Sequence, residues 1–174
     1  MTLKRQMSDS LSAARSFFDL FDRISAIDNN STAGQQLNDF KGEIQFDQIK
    51  FAYASRPTSY ILNRFQLIIK PGQRIALIGA SGCGKSTVIQ LLERFYDPVQ
   101  GRICLDGVDI RQLNIQWLRS CLGLVSQEPI LFDLTIAQNI AYGREKTSIE
   151  DIIDAATKAN IHDFIQRLPQ VSKE

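Results

Sequence analysis

The sequence predicts an α/β domain with antiparallel β structure near its beginning, and three observations support this fold class. Short alternating apolar stretches dominate residues 44–69, and such alternation is typical of strands with one buried face. Strand-like and helix-like segments then alternate as far as residue 168. A continuous apolar run, Ile75–Ile78, precedes a glycine-rich loop and a helical stripe, which indicates a strand that is buried on both faces.

The composition agrees with a folded domain and excludes several classes of protein. The chain has 174 residues, of which 44% are hydrophobic and 22% charged, as in ordinary globular domains. Its net charge of +1 provides no basic field for nonspecific binding, so we expect no nucleic-acid partner. The three cysteines and one histidine lack the close spacing of a zinc site, and they do not indicate a disulfide-stapled module.

The first segment is predicted to be a helix over residues 8–27, followed by a polar linker at Asp28–Asn38. The apolar face of this helix is broad, so it must pack on another element. Its apolar residues are Leu11, Ala14, Phe17, Phe18, Leu20, Phe21, Ile24 and Ile27. No apolar run in the sequence approaches the ~20 residues that span a bilayer.

The predicted strands come from period-two alternation and from short apolar runs that end at turn residues. Two alternating stretches, offset by a bulge, cover residues 44–53. Gly101–Leu105 runs into a turn at Asp106-Gly107. The other predicted strands are Phe65–Ile69, Ile75–Ile78 and Leu122–Val125.

Four helices are predicted after the glycine-rich loop from spacings of three and four residues between apolar side chains. The first begins near Val88 and ends at Asp97-Pro98. The second covers Thr135–Tyr142 and ends at Gly143. The last two are Ile149–Ala159, capped by either Thr147 or Ser148, and a stripe over residues 161–168 that Pro169 closes.

The most specific motif is GASGCGKST at residues 79–87, which matches G-x-x-x-x-G-K-[ST] between a predicted strand and a helix. Glycines allow backbone N–H groups to turn inward around phosphate oxygens, and the helix N-terminus favours negative charge. Lys85 can reach the β- and γ-phosphates, and the Ser86 hydroxyl can ligate Mg²⁺. Thr87 either contacts phosphate or begins the helix, and Cys83 is a small filler. The predicted nucleotide-binding residues of the loop are Gly79, Ser81, Gly82, Cys83, Gly84, Lys85, Ser86 and Thr87.

Together with six further segments, this loop resembles the nucleotide-binding domain of an ABC transporter. The similarity covers roughly residues 40–168 and is closest to the multidrug-exporter, P-glycoprotein-like subfamily. The segments that carry it besides the loop and Phe51-Ala52-Tyr53 are LLERFYDP (91–98), LDG (105–107), QWLR (116–119), VSQEPILF (125–132) and NIAYG (139–143). The resemblance implies a P-loop NTPase core with an N-terminal antiparallel β subdomain and the start of a helical subdomain, incomplete at the C-terminus.

The resemblance also implies roles for residues outside the loop. Tyr53 matches the aromatic residue that stacks on adenine. Gln127 matches the glutamine that contacts Mg²⁺ and the attacking water. Lys85 and Gln127 are therefore the expected catalytic residues, Ser86 and Gln127 the expected metal ligands, and ATP and Mg²⁺ the expected substrate and cofactor.

Two places imitate the acidic residue that P-loop NTPases use for Mg²⁺ after an apolar strand. Asp106 follows Ile103–Leu105, but Gly107 comes next, which favours a turn. Asp133 follows Ile130–Phe132, but Pro129 precedes that run. Neither aspartate is therefore expected to hold Mg²⁺, and His162 is expected to be a surface or packing residue.

The signature segment, acidic strand, catalytic glutamate and switch histidine of the family are not found in this sequence. We therefore expect no ATP hydrolysis by this chain alone. The missing strand would also leave an apolar sheet edge uncovered, so we expect marginal stability and aggregation.

The resemblance predicts that residues 1–40 form a helical arm and linker from a transmembrane domain, and that residues 41–174 form a partial nucleotide-binding domain. The expected partners are the transmembrane domain of the same transporter and a second nucleotide-binding domain, at the cytoplasmic face of a membrane. Two alternatives stay open. One is a truncated, non-hydrolysing binding or interaction protein. The other, a small P-loop kinase, is weak because nothing in the sequence supplies a lid or an acceptor site.

Overall fold

A computed structural model describes residues 2–23, 25–144 and 146–168. The chain divides into two compact units, Met1–Gly123 and Leu124–Glu174. Ile24 of the predicted apolar face, Pro169 and the tail after it lie outside the described residues. No helix in the described ranges is both long enough and apolar enough to span a membrane.

The first unit contains a four-stranded antiparallel sheet in the order β2-β1-β3-β4. This confirms the predicted antiparallel structure near the beginning of the chain. The strand β4 is a short return after the turn at Asp106-Gly107 that was not predicted. The strands are β1 (Ile44–Phe51), β2 (Leu62–Ile69), β3 (Gln100–Leu105) and β4 (Val108–Asp109).

The predicted bulge lies in the middle of β1. The pairing of β1 with β2 shifts register between Phe46 and Ile49, and Gln48 there has a φ of 51°. Gly101 of β3 lies against this bulge, since a Cβ on it would be 2.4 Å from the Asp47 carbonyl oxygen. The bulge allows Phe46 and Ile49, three residues apart, both to be buried.

The strands and two helices of the first unit share one core. The helix α2 (Lys85–Leu92) contributes Leu91, and α3 (Ile115–Ser120) contributes Leu118. Both side chains are fully buried. The other large side chains that are fully buried are Phe46, Ile49, Ile103, Leu105, Ile110 and Leu113. This core fixes the position of α2, the helix that follows the glycine-rich loop.

The predicted helix after the loop is present but ends earlier than expected. It begins at Lys85 and ends at Leu92, with Glu93 as its C-cap. Arg94 then takes a left-handed φ of 53°. The Arg119 guanidinium holds this end by donating to the carbonyl oxygens of Glu93 and Arg94, at 3.1 and 3.2 Å. The apolar stripe as far as Phe95 therefore continues past the helix itself.

Two predicted strands, Ile75–Ile78 and Leu122–Val125, are wrong as strands, because neither segment joins the sheet of the described residues. Strand geometry depends on a hydrogen-bonded neighbour, which an apolar run cannot supply by itself. Both segments expose apolar side chains, among them Ile78 at 94% and Val125 at 96%. The predicted aggregation stays a prediction.

The N-terminal helix α1 covers Thr2–Phe21, so its predicted bounds of 8–27 were wrong at both ends. Its aromatic side chains, including Phe17, Phe18 and Phe21, are exposed. Part of the segment after it makes tertiary contacts. The Asn114 amide donates to the carbonyl oxygens of Ser31 and Ala33. The predicted linker is therefore anchored to α3 rather than free.

The described part of the second unit contains three short helices, each within a segment that was predicted to be helical. Thr135 and Gln138 form a reciprocal capping box at the start of α4 (Ile136–Ala141). Ser148, rather than Thr147, caps α5 (Ile149–Lys158), its hydroxyl accepting from the Asp151 backbone N–H. The last helix, α6, covers His162–Gln166.

Candidate nucleotide site

The glycine-rich loop turns tightly before α2 by using two left-handed residues. Gly82 has a φ of 80° and Gly84 a φ of 91°, conformations that residues with a Cβ rarely adopt. Gly84 is also packed closely, because a Cβ on it would be 2.9 Å from Ile61 Cγ2 and 3.1 Å from Leu62 Cδ2. The loop is therefore pressed against the start of β2, and its helix begins directly after a left-handed turn.

The loop folds back on itself across its own base. A Cβ on Gly79 would be 2.6 Å from the Cys83 sulfur, and the Cys83 backbone N–H donates to the Ala80 carbonyl oxygen at 3.3 Å. The Cys83 side chain is exposed and occupies the space beside Gly79, as expected for a small filler. Ser81 and Gly82 form the exposed tip of the loop.

Lys85 lies across the mouth of this loop. Its Nζ donates to the carbonyl oxygens of Gly79 at 2.9 Å and Ala80 at 2.7 Å, and lies 3.6 Å from the Cys83 sulfur. A cationic donor is thus held within the loop that the sequence predicted to surround phosphate. The chemistry suits a polyphosphate, since an ammonium binds anionic oxygens through charge-assisted hydrogen bonds.

Tyr53 joins this region from the end of β1. Its hydroxyl oxygen lies 3.0 Å from Thr87 Oγ1 and 2.9 Å from Gln90 Oε1. Thr87 is only 5% exposed, and Tyr53 is half-buried. The predicted adenine-stacking residue is therefore hydrogen-bonded directly to the helix that follows the phosphate loop.

Two further aromatic rings surround Tyr53. Phe51 lies edge-on to it, with ring centroids 5.0 Å apart, and Tyr96 lies edge-on at 5.4 Å. Such edge-to-face arrangements are favourable and fix ring orientation. Tyr96 and Gln90 are site residues that the sequence analysis did not identify as such. Gln90 follows Thr87 by three positions, the spacing that brings two side chains to one helix face.

Two further predicted residues, Ser86 and Gln127, are exposed. Ser86 is exposed on the first turn of α2. Gln127 is exposed in an irregular segment of the Leu124–Glu174 unit. The geometry of the site is therefore that of the first unit, where the structure brings together Tyr53, Gly79, Cys83, Lys85 and Thr87.

The two aspartates that imitate a magnesium-binding acid have other surroundings. Asp106 accepts backbone hydrogen bonds from Lys41, Gly42 and Glu43 at 2.6, 3.2 and 2.7 Å. Burial opposes ionisation, but these donors outweigh it and lower the pKa of Asp106 below its ordinary value. Asp133 is exposed, and residues 130–132 before it do not form a strand. Among the described residues, no three His, Cys, Asp or Glu side chains cluster as metal ligands.

A tight phosphate-type loop that opens a helix, with an aromatic residue bonded to that helix, defines a nucleotide-binding module of the P-loop class. Comparison with known proteins narrows this class. Residues 62–173 match the family model described as ABC transporter. A solved structure of a bacterial Atm1-family ABC exporter with ATP bound matches with a TM-score of 0.79 and 39% identity, over 96% of this chain and 29% of that chain.

Curated relatives agree with these matches. ABC transporter B family member 2 of Dictyostelium discoideum is 51% identical over 157 residues, which are 90% of this chain and 11% of that protein. ATP-binding cassette sub-family B member 5 of Homo sapiens is 44% identical over 172 residues, which are 98% of this chain and 14% of that protein. The chain thus spans between 11% and 14% of the length of these two relatives.

The chain belongs to the ABC transporter family. Its fold is that of the ATP-binding module of an ABC exporter. The predicted fold class and the resemblance to the multidrug-exporter group are thereby confirmed.

Proposed function

We propose that this chain binds MgATP at the loop of residues 79–87 and, as part of a complete exporter, drives the transport of substrates across a membrane. The observation that carries this proposal is the Lys85 ammonium, held over a loop whose two left-handed glycines let the backbone turn inward. A γ-phosphate oxygen would compete with the Gly79 and Ala80 carbonyls for that ammonium. Tyr53 would offer its ring to the adenine.

Each residue of the site has a proposed task. Lys85 balances the charge of the β- and γ-phosphates, while the backbone N–H groups of the loop and of the α2 N-terminus donate to phosphate oxygens. Mg²⁺ prefers oxygen ligands, and the Ser86 hydroxyl and the Gln127 amide are of that type. When bound, the cation neutralises charge that develops on the phosphates. Gln127 would also orient the attacking water in the complete transporter.

The surroundings of the module are proposed from its family. Residues 1–40 would connect it to the transmembrane domain of the same transporter, and residues 41–174 would form part of the nucleotide-binding domain. A second nucleotide-binding domain would complete the ATP site. The module would then lie at the cytoplasmic face of the membrane, where ATP closes the two domains together and its hydrolysis reopens them.

Replacing Lys85 tests the proposed phosphate contact. We expect Lys85→Ala to lower MgATP affinity at least about 30-fold in isothermal titration calorimetry, because a charge-assisted contact contributes about 2 kcal/mol or more. Lys70→Ala, which removes an exposed lysine after β2, is the matched control and should bind as the wild type does. Equal affinity of Lys85→Ala and wild type would contradict the assignment of this loop.

A further inference from the structure

The hydrogen bonds around Tyr53 form a directed chain of three side chains. Gln90 Oε1 can only accept, so the Tyr53 hydroxyl donates its single proton there, at 2.9 Å. The Tyr53 oxygen then accepts from the Thr87 hydroxyl, at 3.0 Å. Thr87 therefore donates its hydroxyl proton to Tyr53, and Tyr53 donates its own to Gln90.

This series of hydrogen bonds has two consequences, of which the first concerns Thr87. The Thr87 hydroxyl donates its only proton to Tyr53, so the Thr87 side chain is not a donor toward phosphate in this arrangement. Of the two roles left open for Thr87, this geometry favours a place in the helix rather than a phosphate contact. Thr87 is also buried at 5% exposure, which agrees with that role.

The second consequence concerns the Tyr53 ring. Tyr53 lies two residues after the end of β1, while Thr87 and Gln90 lie in the helix that begins at Lys85. Phe51 and Tyr96 lie edge-on to the Tyr53 ring. The ring is thus restrained by two aromatic neighbours and by the hydrogen-bonded hydroxyl at its tip. The hydroxyl bond is the contact that ties its position to the helix of the phosphate loop.

We propose that Gln90 is a positioning residue for base recognition, acting through the Tyr53 hydroxyl to set the aromatic ring relative to the phosphate-binding end of α2. This inference rests on the proposed function, in which Tyr53 contacts the adenine. Gln90 sets the base contact and not the phosphate contact. Its loss therefore weakens binding of a complete nucleotide and leaves binding of a bare polyphosphate unchanged.

The test compares MgATP with magnesium tripolyphosphate, which has no base, by calorimetry on the full chain. Gln90→Met keeps the size of the side chain and removes the acceptor, and Tyr53→Phe keeps the ring and removes the hydroxyl. We expect each variant to lower MgATP affinity about 3- to 10-fold, the usual effect of one lost hydrogen bond. Tripolyphosphate affinity should stay within about twofold of wild type.

Because both substitutions break the same chain of hydrogen bonds, the double variant should lose no more MgATP affinity than the stronger single variant. Gln112→Met, which changes an exposed glutamine before α3, is the matched control and should behave as wild type with both ligands. Circular dichroism during thermal unfolding checks that every variant is folded.

The possible outcomes separate this inference from the proposed function. Normal MgATP affinity in Gln90→Met, in a protein whose binding depends on Lys85, would overturn the inference and leave the proposed function standing. Equal losses for MgATP and tripolyphosphate would also overturn it, because Gln90 would then act on the helix in general. No binding of either ligand by the wild type would overturn both.

Discussion

At Gly84 of the phosphate-type loop, a left-handed backbone conformation coincides with close packing. Several glycines of this chain have positive φ, but they differ in what surrounds them. Gly84 at φ +91° lies against Ile61 and Leu62, whereas a Cβ added to Gly107 at φ +81° would meet no atom within 4 Å. The backbone strain of a substitution is therefore similar at both positions, while the steric cost exists only at Gly84.

We expect Gly107→Ala to lower the free energy of unfolding by about 1–2 kcal/mol, the cost of a left-handed backbone in a residue with a Cβ. Gly84→Ala should lower it further, by about 1–3 kcal/mol, because the new methyl group meets two packed side chains. It should also weaken MgATP binding, because the loop must move. Urea unfolding of both variants measures the difference, and equal destabilisation would contradict this packing argument.

Among the secondary-structure elements, the turn between β3 and β4 shows how a motif that looks functional can be structural. The sequence Ile103–Asp106 imitates a magnesium-binding strand, yet the Asp106 carboxylate accepts from three consecutive backbone N–H groups at Lys41, Gly42 and Glu43. It thereby fixes the chain just before β1. The following Gly107 was the residue in the sequence that indicated this turn.

This arrangement predicts a pH dependence of stability. The folded-state pKa of Asp106 is lowered from its ordinary value of 3.8, so the folded protein favours the carboxylate. The resulting stabilisation is present above pH 3.8 and is lost as the pH falls through the lower, folded-state pKa. The free energy of unfolding should therefore decrease as the pH is lowered from about 5 to about 2.5.

The variant Asp106→Asn should be about 1 kcal/mol less stable than wild type at pH 7, because one of the two accepting oxygens is lost. The difference between the two proteins should shrink as the pH falls. Asp133→Asn, at an exposed aspartate, is the matched control and should follow the wild-type curve. A constant difference between Asp106→Asn and wild type at every pH would show that the charge of Asp106 does not stabilise the fold.

For the molecule as a whole, local signals in the sequence correctly predicted the features that are determined by residues close together in the chain. The bulge in β1, the side-chain cap of α5 and the presence of a helix after the glycine-rich loop all follow from residues a few positions apart. The same is true of the phosphate-type loop. These features were predicted because backbone preferences and short-range hydrogen bonds determine them.

Features that depend on distant residues were missed or wrong. The apolar run Ile75–Ile78 correctly indicated a hydrophobic segment, but whether it forms a strand depends on a partner strand elsewhere. The helix α3 was not predicted, although Asn114 caps it by accepting from the Trp117 backbone N–H. The bond from Tyr53 to Gln90 joins residues 37 positions apart, and no local pattern reveals such a contact.

The central claim is that ATP binds with its phosphates in the loop of residues 79–87 and its base at Tyr53. The most direct measurement is a titration of the ¹⁵N-labelled chain with MgATP, followed by amide chemical shifts in NMR spectra. We predict the largest shifts at residues 80–87 and at Tyr53, with magnesium tripolyphosphate reproducing the loop shifts but not those at Tyr53. Shifts that are absent from the loop, or that cluster elsewhere in the chain, would contradict the account.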